Sequence, residues 1–257
     1  MTKVSGGDVD VRFDDQGEGR TFLLLHGGGG PQTVAGFAQR LAGHGRVITP
    51  VHPGFGGTDR PDWLTTMAGL AEVYVQLLED EDLRDVTVVG NSMGGWTAAE
   101  MALLGSDRIS GVVLVDAVGV EVEGQPVVDI FPMTLEELSE LSYHDPEKFR
   151  IDVSGFSDAQ KAGMAANRAA LAVYGASMVD PTLRERLAGA KVPALVLWGE
   201  ADRIVTPEYG RAFAEAIPGS VFHLMEGTGH LPQIETPELL LAEVTAFAGH
   251  TGSDHVQ

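Results

Sequence analysis

A serine between glycines, in Gly90-Asn91-Ser92-Met93-Gly94, is the first candidate for chemistry in this sequence. The pentapeptide follows a nearly all-apolar run, Val86–Val89 (VTVV), and leads into Met93–Leu104 (MGGWTAAEMALL), which reads as a helix. A serine on such a strand-to-helix turn lifts its hydroxyl above a sheet, and the glycines around it leave room for the turn. The helix that begins there offers unpaired N–H groups and a positive dipole end to developing negative charge. A serine hydroxyl is a weak nucleophile by itself and requires a base.

Eight histidines are available. His26 stands where an apolar run enters a glycine run, and His44 lies in a short loop. His52 belongs to a Gly/Pro turn, His144 to a helical interval, His223 to the interior of a strand, and His250 and His255 to the tail. His230, in Gly227-Thr228-Gly229-His230, lies just past the carboxyl end of a late apolar run. That rim is where open α/β sheets place their sites. A histidine base needs a carboxylate to hold its tautomer and to stabilise the imidazolium. Asp202, in Gly199-Glu200-Ala201-Asp202, follows the run Pro193–Trp198 (PALVLW) and fits that role. Asp116, in Leu114-Val115-Asp116-Ala117, closes the preceding strand and competes for it; Glu200 and Asp180 are weaker candidates.

The elements that must position these residues alternate along the chain. Thr21–Leu25, Arg46–Thr49, Val86–Val89, Gly111–Val115 and Pro193–Trp198 are short apolar runs, as expected of strands buried on both faces of a parallel sheet. Val9–Phe13 alternates as a half-buried edge strand would, and Val221–Met225 completes the set. Met67, Leu70, Ala71, Tyr74, Leu77 and Leu78 mark one buried helix face. Thr206-Pro207 and Thr236-Pro237 read as helix starts. The expectation is an α/β fold: a mostly parallel central sheet of about eight strands flanked by helices. Between Val118 and Lys191 the rhythm breaks. A capping box at Thr134–Glu137, an Ala-rich period from Asp158 to Tyr174 and a start at Asp180-Pro181 indicate helices inserted between two strands. This divides the chain into a core of residues 1–118 and 191–249, a helical lid of residues 119–190, and a frayed tail of residues 250–257. Among the lid's aromatic and methionine residues, Phe131 and Met133 are candidates to line a pocket over the rim, offering an apolar wall to a small-molecule substrate.

Composition removes other classes. With 37 Asp+Glu against 17 Lys+Arg, the net charge is −20, which repels phosphate backbones and anionic lipid, so neither nucleic acid nor a membrane surface is an expected partner. No signal-like or membrane-spanning apolar stretch is visible, and the expected location is the cytoplasm. The absence of cysteine excludes thiolate nucleophiles and Cys-based metal sites. The remaining histidines and acids show no ligand-spaced cluster, so neither a metal nor another cofactor is expected.

Five motifs, in order, give the chain its resemblance to the α/β-hydrolase-fold enzymes. Leu25-His26-Gly27-Gly28-Gly29 resembles that family's oxyanion loop, and Pro53-Gly54-Phe55-Gly56-Gly57-Thr58 its P-G-x-G-x-S turn. Gly90–Gly95 resembles the nucleophile turn, Trp198–Asp202 the acid loop, and Gly229-His230-Leu231-Pro232 the histidine loop. The order Ser92, Asp202, His230 is that of the family. The resemblance implies Ser92 as nucleophile, His230 as general base and acid, and Asp202 as its partner. It also implies an oxyanion hole from the backbone N–H groups of Met93 and Gly28, with Gly29 as the alternative second donor. His52 departs from the aspartate that many members carry before P-G. The implied activity is cofactor-independent hydrolysis of carboxylic esters, or related activated acyl bonds, of small to medium apolar substrates through an acyl-enzyme. The GNSMGG turn also resembles carbon–carbon hydrolases acting on aromatic ring-fission products. Those commonly carry tryptophan after the catalytic histidine, where this chain has Leu231, and they take anionic substrates, for which Arg150, Arg168, Arg184 and Arg186 are the available counter-charges. A weakly catalytic binding protein of the same fold is the third reading.

Overall fold

In the computed structural model, which describes residues 2–4 and 7–251, the apolar runs assemble into one sheet. The strands in chain order are β1 (Thr2–Val4), β2 (Gly7–Val9), β3 (Phe13–Gln16), β4 (Thr21–Leu25), β5 (Arg46–Pro50), β6 (Val86–Asn91), β7 (Ile109–Val115), β8 (Gly119–Val120), β9 (Val179–Asp180), β10 (Ala194–Gly199) and β11 (Val221–Met225). Seven of them form the central sheet in the order β11-β10-β7-β6-β4-β5-β3, all parallel except β3, which runs antiparallel to β5.

The inner strands β4, β6, β7 and β10 are buried along their whole length because both faces are covered. Leu23, Leu25, Val88, Val112, Leu114 and Val196 pack with helices α2 (Met67–Asp80), α3 (Met93–Leu104) and α8 (Pro207–Glu215). Their strand neighbours Phe22, Leu24, Val89, Val113 and Leu197 pack on the other side with α1 (Gln32–Leu41) and α10 (Pro237–Thr251). A two-residue side-chain period therefore feeds two cores at once. All six residues of the expected α2 face are buried. Thr206 caps α8 by accepting from the Tyr209 N–H, whereas the Thr236 hydroxyl at the head of α10 meets Thr228 instead.

The sheet, expected to have about eight strands, has seven among the described residues. Other expectations need correction. Val9–Phe13 is not one strand: β2 pairs with β1 in a separate two-stranded sheet, and β3 starts at Phe13 to pair with β5, so residues 10–12 carry the chain from one sheet to the other. In the inserted region β8 and β9 pair over two residues each, too short to leave a pattern. At the end, His250 and Thr251 still belong to α10, where His250 Nδ1 donates to the Ala246 carbonyl at 2.6 Å; the rest of the expected tail, residues 252–257 with His255, lies outside the described residues.

Between β8 and β10 the chain forms α4 (Leu135–Ser142), α5 (Pro146–Phe149), α6 (Asp158–Gly175) and α7 (Leu183–Arg186), closed by a 3-10 turn at Leu187–Gly189. The Thr134–Glu137 capping box is formed, and a second one joins Ser157 and Gln160 at the head of α6. Asp180 does not open α7 as a cap. It ends β9 and accepts from the Thr182 N–H and hydroxyl, and the helix begins at Leu183. Among the described residues no helix is long and apolar enough to cross a membrane.

Strand register levels the ends of the sheet. Leu25 lies opposite Gly90, Asn91 opposite Val115, Val115 opposite Leu197, and Gly199 opposite Met225. The residues that follow these strands therefore emerge side by side on one rim.

Candidate active site

Ser92 occupies the sharp turn between β6 and α3 with φ 56° and ψ −117°. A non-glycine residue at positive φ costs on the order of 1–3 kcal/mol and persists only where its surroundings impose it. Here the Ser92 N–H donates to the Val115 carbonyl at 2.9 Å, and its own carbonyl accepts from Trp96 and Val118. The flanking glycines are required by contact. A Cβ on Gly90 would lie 2.1 Å from the Gly94 carbonyl oxygen, and one on Gly94 would lie 2.4 Å from that of Leu25. The spacing of the pentapeptide is thus the spacing of a backbone packed against itself and against β4.

His230 reaches the same rim from the loop after β11. Its Nδ1 donates to Asp202 Oδ2 at 2.7 Å, which leaves Nε2 as the basic nitrogen. Asp202 Oδ1 accepts from the Ile204 and Val205 N–H groups at 2.8 and 3.1 Å, so the carboxylate cannot rotate without losing bonds on both oxygens. The His230 loop is pinned to the Ser92 turn. Asn91 Nδ2 donates to the His230 carbonyl at 3.0 Å, Gln233 Nε2 donates to Asn91 Oδ1 at 3.1 Å, and the His230 N–H donates to the Ser142 carbonyl at 2.7 Å. Asn91 and Gln233 escaped the sequence reading, although Asn91 directly precedes the serine.

The competing acid, Asp116, is fully buried in a left-handed conformation (φ 45°), and its Oδ1 accepts from the Gly199 N–H at 2.7 Å. It does not hold the imidazole; Asp202 does. Burial, then the neighbouring Asp202 charge, push the Asp116 carboxyl well above the usual carboxylate range. One donor atom each from Asp116, Asp202 and His230 lie within 4.8 Å of one another, a grouping that no sequence spacing revealed. The 2.7 Å Nδ1–Oδ2 separation is a direct hydrogen bond, however, and two ligands of one tetrahedral ion would stand about 3.3 Å apart. The arrangement suits a histidine–carboxylate pair.

Gly28 and Gly29 follow β4 at the rim, and Met93, wholly buried, opens α3 beside them. The root of their loop is held by two neutral histidines. The His52 N–H donates to His26 Nε2 at 3.2 Å, His52 Nε2 donates to the His26 carbonyl at 2.8 Å, and Tyr74 donates its hydroxyl to His52 Nδ1. Burial depresses His26 to about 4 and drives His52 well below the ordinary histidine range, so neither carries charge near neutrality. His52, the departure from the resembled pattern, therefore serves as a hydrogen-bonding strut between two loops.

Helix α6 lies directly on this loop. Leu171 packs so closely on Gly28 that a Cβ there would meet Leu171 Cδ2 at 2.6 Å. Asn167 Nδ2 donates to the Gly29 carbonyl at 3.2 Å while its Oδ1 accepts from the Gly56 N–H at 2.9 Å, and Tyr174 donates to the Pro53 carbonyl at 2.9 Å. Ser92, His230 and Asp202 are only 8%, 6% and 2% exposed. Asn167, Ala170, Leu171 and Tyr174 are the buried face of the helix expected from the Ala-rich period; within it Asn167 and Leu171 were not singled out. Phe131 and Met133 lie half-buried on the segment entering α4, where their carbonyls accept from Arg168 Nη2, and Leu231 is half-buried at the head of α9 (Pro232–Glu235).

Two of the four arginines considered as counter-charges, Arg168 and Arg186, are engaged in other bonds. Arg168 is spent on the carbonyls of Ile130, Phe131 and Met133. Arg186 pairs through both Nη atoms with buried Glu100 at 2.7 Å and also with Asp180. Arg184 lines a cleft with Glu121 and Glu123, and Arg150 another with Glu136 and Asp152.

The sequence profile of the alpha/beta hydrolase family matches residues 22–244. A 2-hydroxy-6-oxononadienedioate/2-hydroxy-6-oxononatrienedioate hydrolase of Paraburkholderia phymatum is 30% identical over 95% of this chain and 92% of its own. A 2-hydroxy-6-oxo-6-(2'-aminophenyl)hexa-2,4-dienoic acid hydrolase of Metapseudomonas resinovorans is 28% identical over 91% of this chain and 86% of its own. Among solved structures, an esterase from Exiguobacterium antarcticum superposes with a TM-score of 0.76 at 21% identity, covering 96% of this chain and 98% of its own.

Proposed function

Because this chain belongs to the alpha/beta hydrolase family, we propose that it is a cofactor-independent serine hydrolase acting through Ser92, His230 and Asp202. The observation that carries this reading is the 2.7 Å His230–Asp202 bond on the same rim as a serine held at φ 56°. In the reaction, Ser92 Oγ attacks the substrate carbonyl while His230 Nε2 takes its proton. The resulting oxyanion is met by the N–H groups of Met93 and Gly28, with Gly29 as the alternative to Gly28. Such donors lower a barrier by about 3–4 kcal/mol each. His230 returns the proton to the leaving group, which departs and leaves an acyl-serine. Water, deprotonated by the same nitrogen, then releases the acid and regenerates the serine.

The bond cleaved is a carboxylic ester or a related activated acyl bond of a small to medium apolar substrate. Two features favour this class: the apolar Leu171 lying over Gly28, and the engagement of Arg168 and Arg186 in other bonds. Residues 119–190 act as a lid, and α6 is the part that must shift to admit substrate. The second reading is hydrolysis of a carbon–carbon bond in a ring-fission product. It is favoured by the two relatives at 28% and 30% identity and by the resemblance of the Gly90–Gly95 turn to that of carbon–carbon hydrolases. Turnover of nitrophenyl esters of increasing acyl length, measured beside turnover of a dienoate ring-fission product, tests the choice. The ester reading requires Ser92-dependent ester hydrolysis with the higher kcat/KM; a higher value for the dienoate overturns it in favour of the second.

A further inference from the structure

Asp116 has no role in the reaction as written, yet it is wholly buried beside the carboxylate that orients the base. Its hydrogen bonds are unequal. Oδ1 accepts from the Gly199 N–H at 2.7 Å, whereas Oδ2 is buried without any donor. Asp202, by contrast, is fully supplied, with two backbone N–H groups on Oδ1 and the imidazole on Oδ2. Around the pair stand His230 from the β11 loop and, from α9, the Glu235 carboxylate. The nearest arginine in sequence, Arg203, turns its guanidinium to the carbonyls of Glu140 and Tyr143.

Two carboxylates in such a place cannot both ionise at neutral pH, because like charges in a low-dielectric site repel strongly. The proton goes to the carboxyl with fewer donors, since hydrogen bonds to the charged form favour ionisation. We infer that Asp116 is a neutral carboxylic acid whose Oδ2–H donates to the Asp202 carboxylate, making it a positioning residue for the acid that orients His230. A proton on Oδ2 satisfies the one orphaned oxygen of the cluster. It also supplies Asp202 with a further donor and fixes the carboxylate's plane against the imidazole. Burial, the Asp202 charge and a hydrogen bond to Asp202 all favour the protonated form.

The inference rests on the proposed triad for its catalytic meaning, but its protonation claim stands independently. Infrared difference spectra of wild type against Asp116→Asn, at neutral pH, test that claim. A carbonyl stretch of a protonated carboxylic acid, shifting in heavy water and missing from the variant, is expected; the absence of such a band in wild type overturns the inference. Kinetics tests the role. Asp116→Ala should lower kcat about tenfold to a hundredfold with KM little changed, the loss of one hydrogen bond to a charged group. Asp116→Asn should restore most of it, because the amide can accept from Gly199 and donate to Asp202 as the acid does. An Asn variant as impaired as Ala would mean that Asp116 works ionised, and an Ala variant as fast as wild type would mean that it positions nothing. If the alanine variant fails to fold, the infrared band and the Asn rate still decide. Failure of the triad itself shows separately, as failure of an activated-serine probe to label Ser92.

Discussion

Replacing Asp202 by asparagine should stop the reaction without unfolding the protein, and the hydrogen bonds say why. Asp202 Oδ1 accepts from two backbone N–H groups, Ile204 and Val205, so an asparagine there must place its carbonyl oxygen at that position. Its NH2 group then faces His230 Nδ1, where Oδ2 accepts at 2.7 Å in the native chain. Two donors cannot meet. The imidazole moves its proton to Nε2, and the nitrogen that should deprotonate Ser92 becomes a donor. In serine proteases the corresponding wrong tautomer costs about 10⁴ in kcat, or roughly 5 kcal/mol of transition-state stabilisation. The assay is steady-state hydrolysis of a short nitrophenyl ester, with circular dichroism melting as the control for folding. The expected result is a fall in kcat of about four decades with KM within a few-fold. A variant within tenfold of wild type would refute the tautomer argument. If Asp116→Asn showed the loss instead, the acid would belong at the end of β7.

Two further outcomes follow from α6 and from the buried histidines. Leu171→Ala, which removes the side chain packed on Gly28, should shift the preferred acyl chain to longer esters; a two-carbon change in contact with that wall corresponds to about tenfold in kcat/KM. Superimposable acyl-length profiles for variant and wild type would place the acyl pocket elsewhere. His26 should make folding sensitive to acid. Its folded value of about 4 lies below the unfolded 6.5, so the unfolded chain binds the proton first, and stability present at neutral pH is lost as pH falls through that window. Between pH 7 and pH 5 the loss from His26 alone is about 2 kcal/mol, to be read as the difference in urea-unfolding free energy between wild type and His26→Asn. Equal pH dependence in the two proteins would contradict a neutral buried His26.

Much of the sheet was legible because its strands are covered on both faces, which turns alternation into unbroken apolar runs at β4, β6, β7 and β10. The reading failed at Val9–Phe13, where apolar alternation continues although the chain changes sheets: pairing partners are non-local, and the pattern records burial alone. The placement of Ser92, Asp202 and His230 at one end of the sheet was legible because each sits in a glycine-bearing turn just past a strand, a local cause with a local signature. What joins them was not. Asn91 bonds the His230 carbonyl, and Asp116 lies beside Asp202, only because strand register levels distant segments of the chain. The helix that covers Gly28 and Gly29 was legible as an Ala-rich period, but the contacts of Asn167 and Leu171 were not, because a leucine and an asparagine carry no chemical flag until the glycine beneath them is seen.

The central claim is that Ser92 is an activated nucleophile, and covalent labelling tests it most directly. Incubating the full chain with a fluorophosphonate, followed by tryptic mass mapping, should find the adduct on Ser92 alone. His230→Ala should lose the labelling while Leu171→Ala keeps it. An adduct on another serine, or no adduct on a folded wild-type protein, would contradict the account.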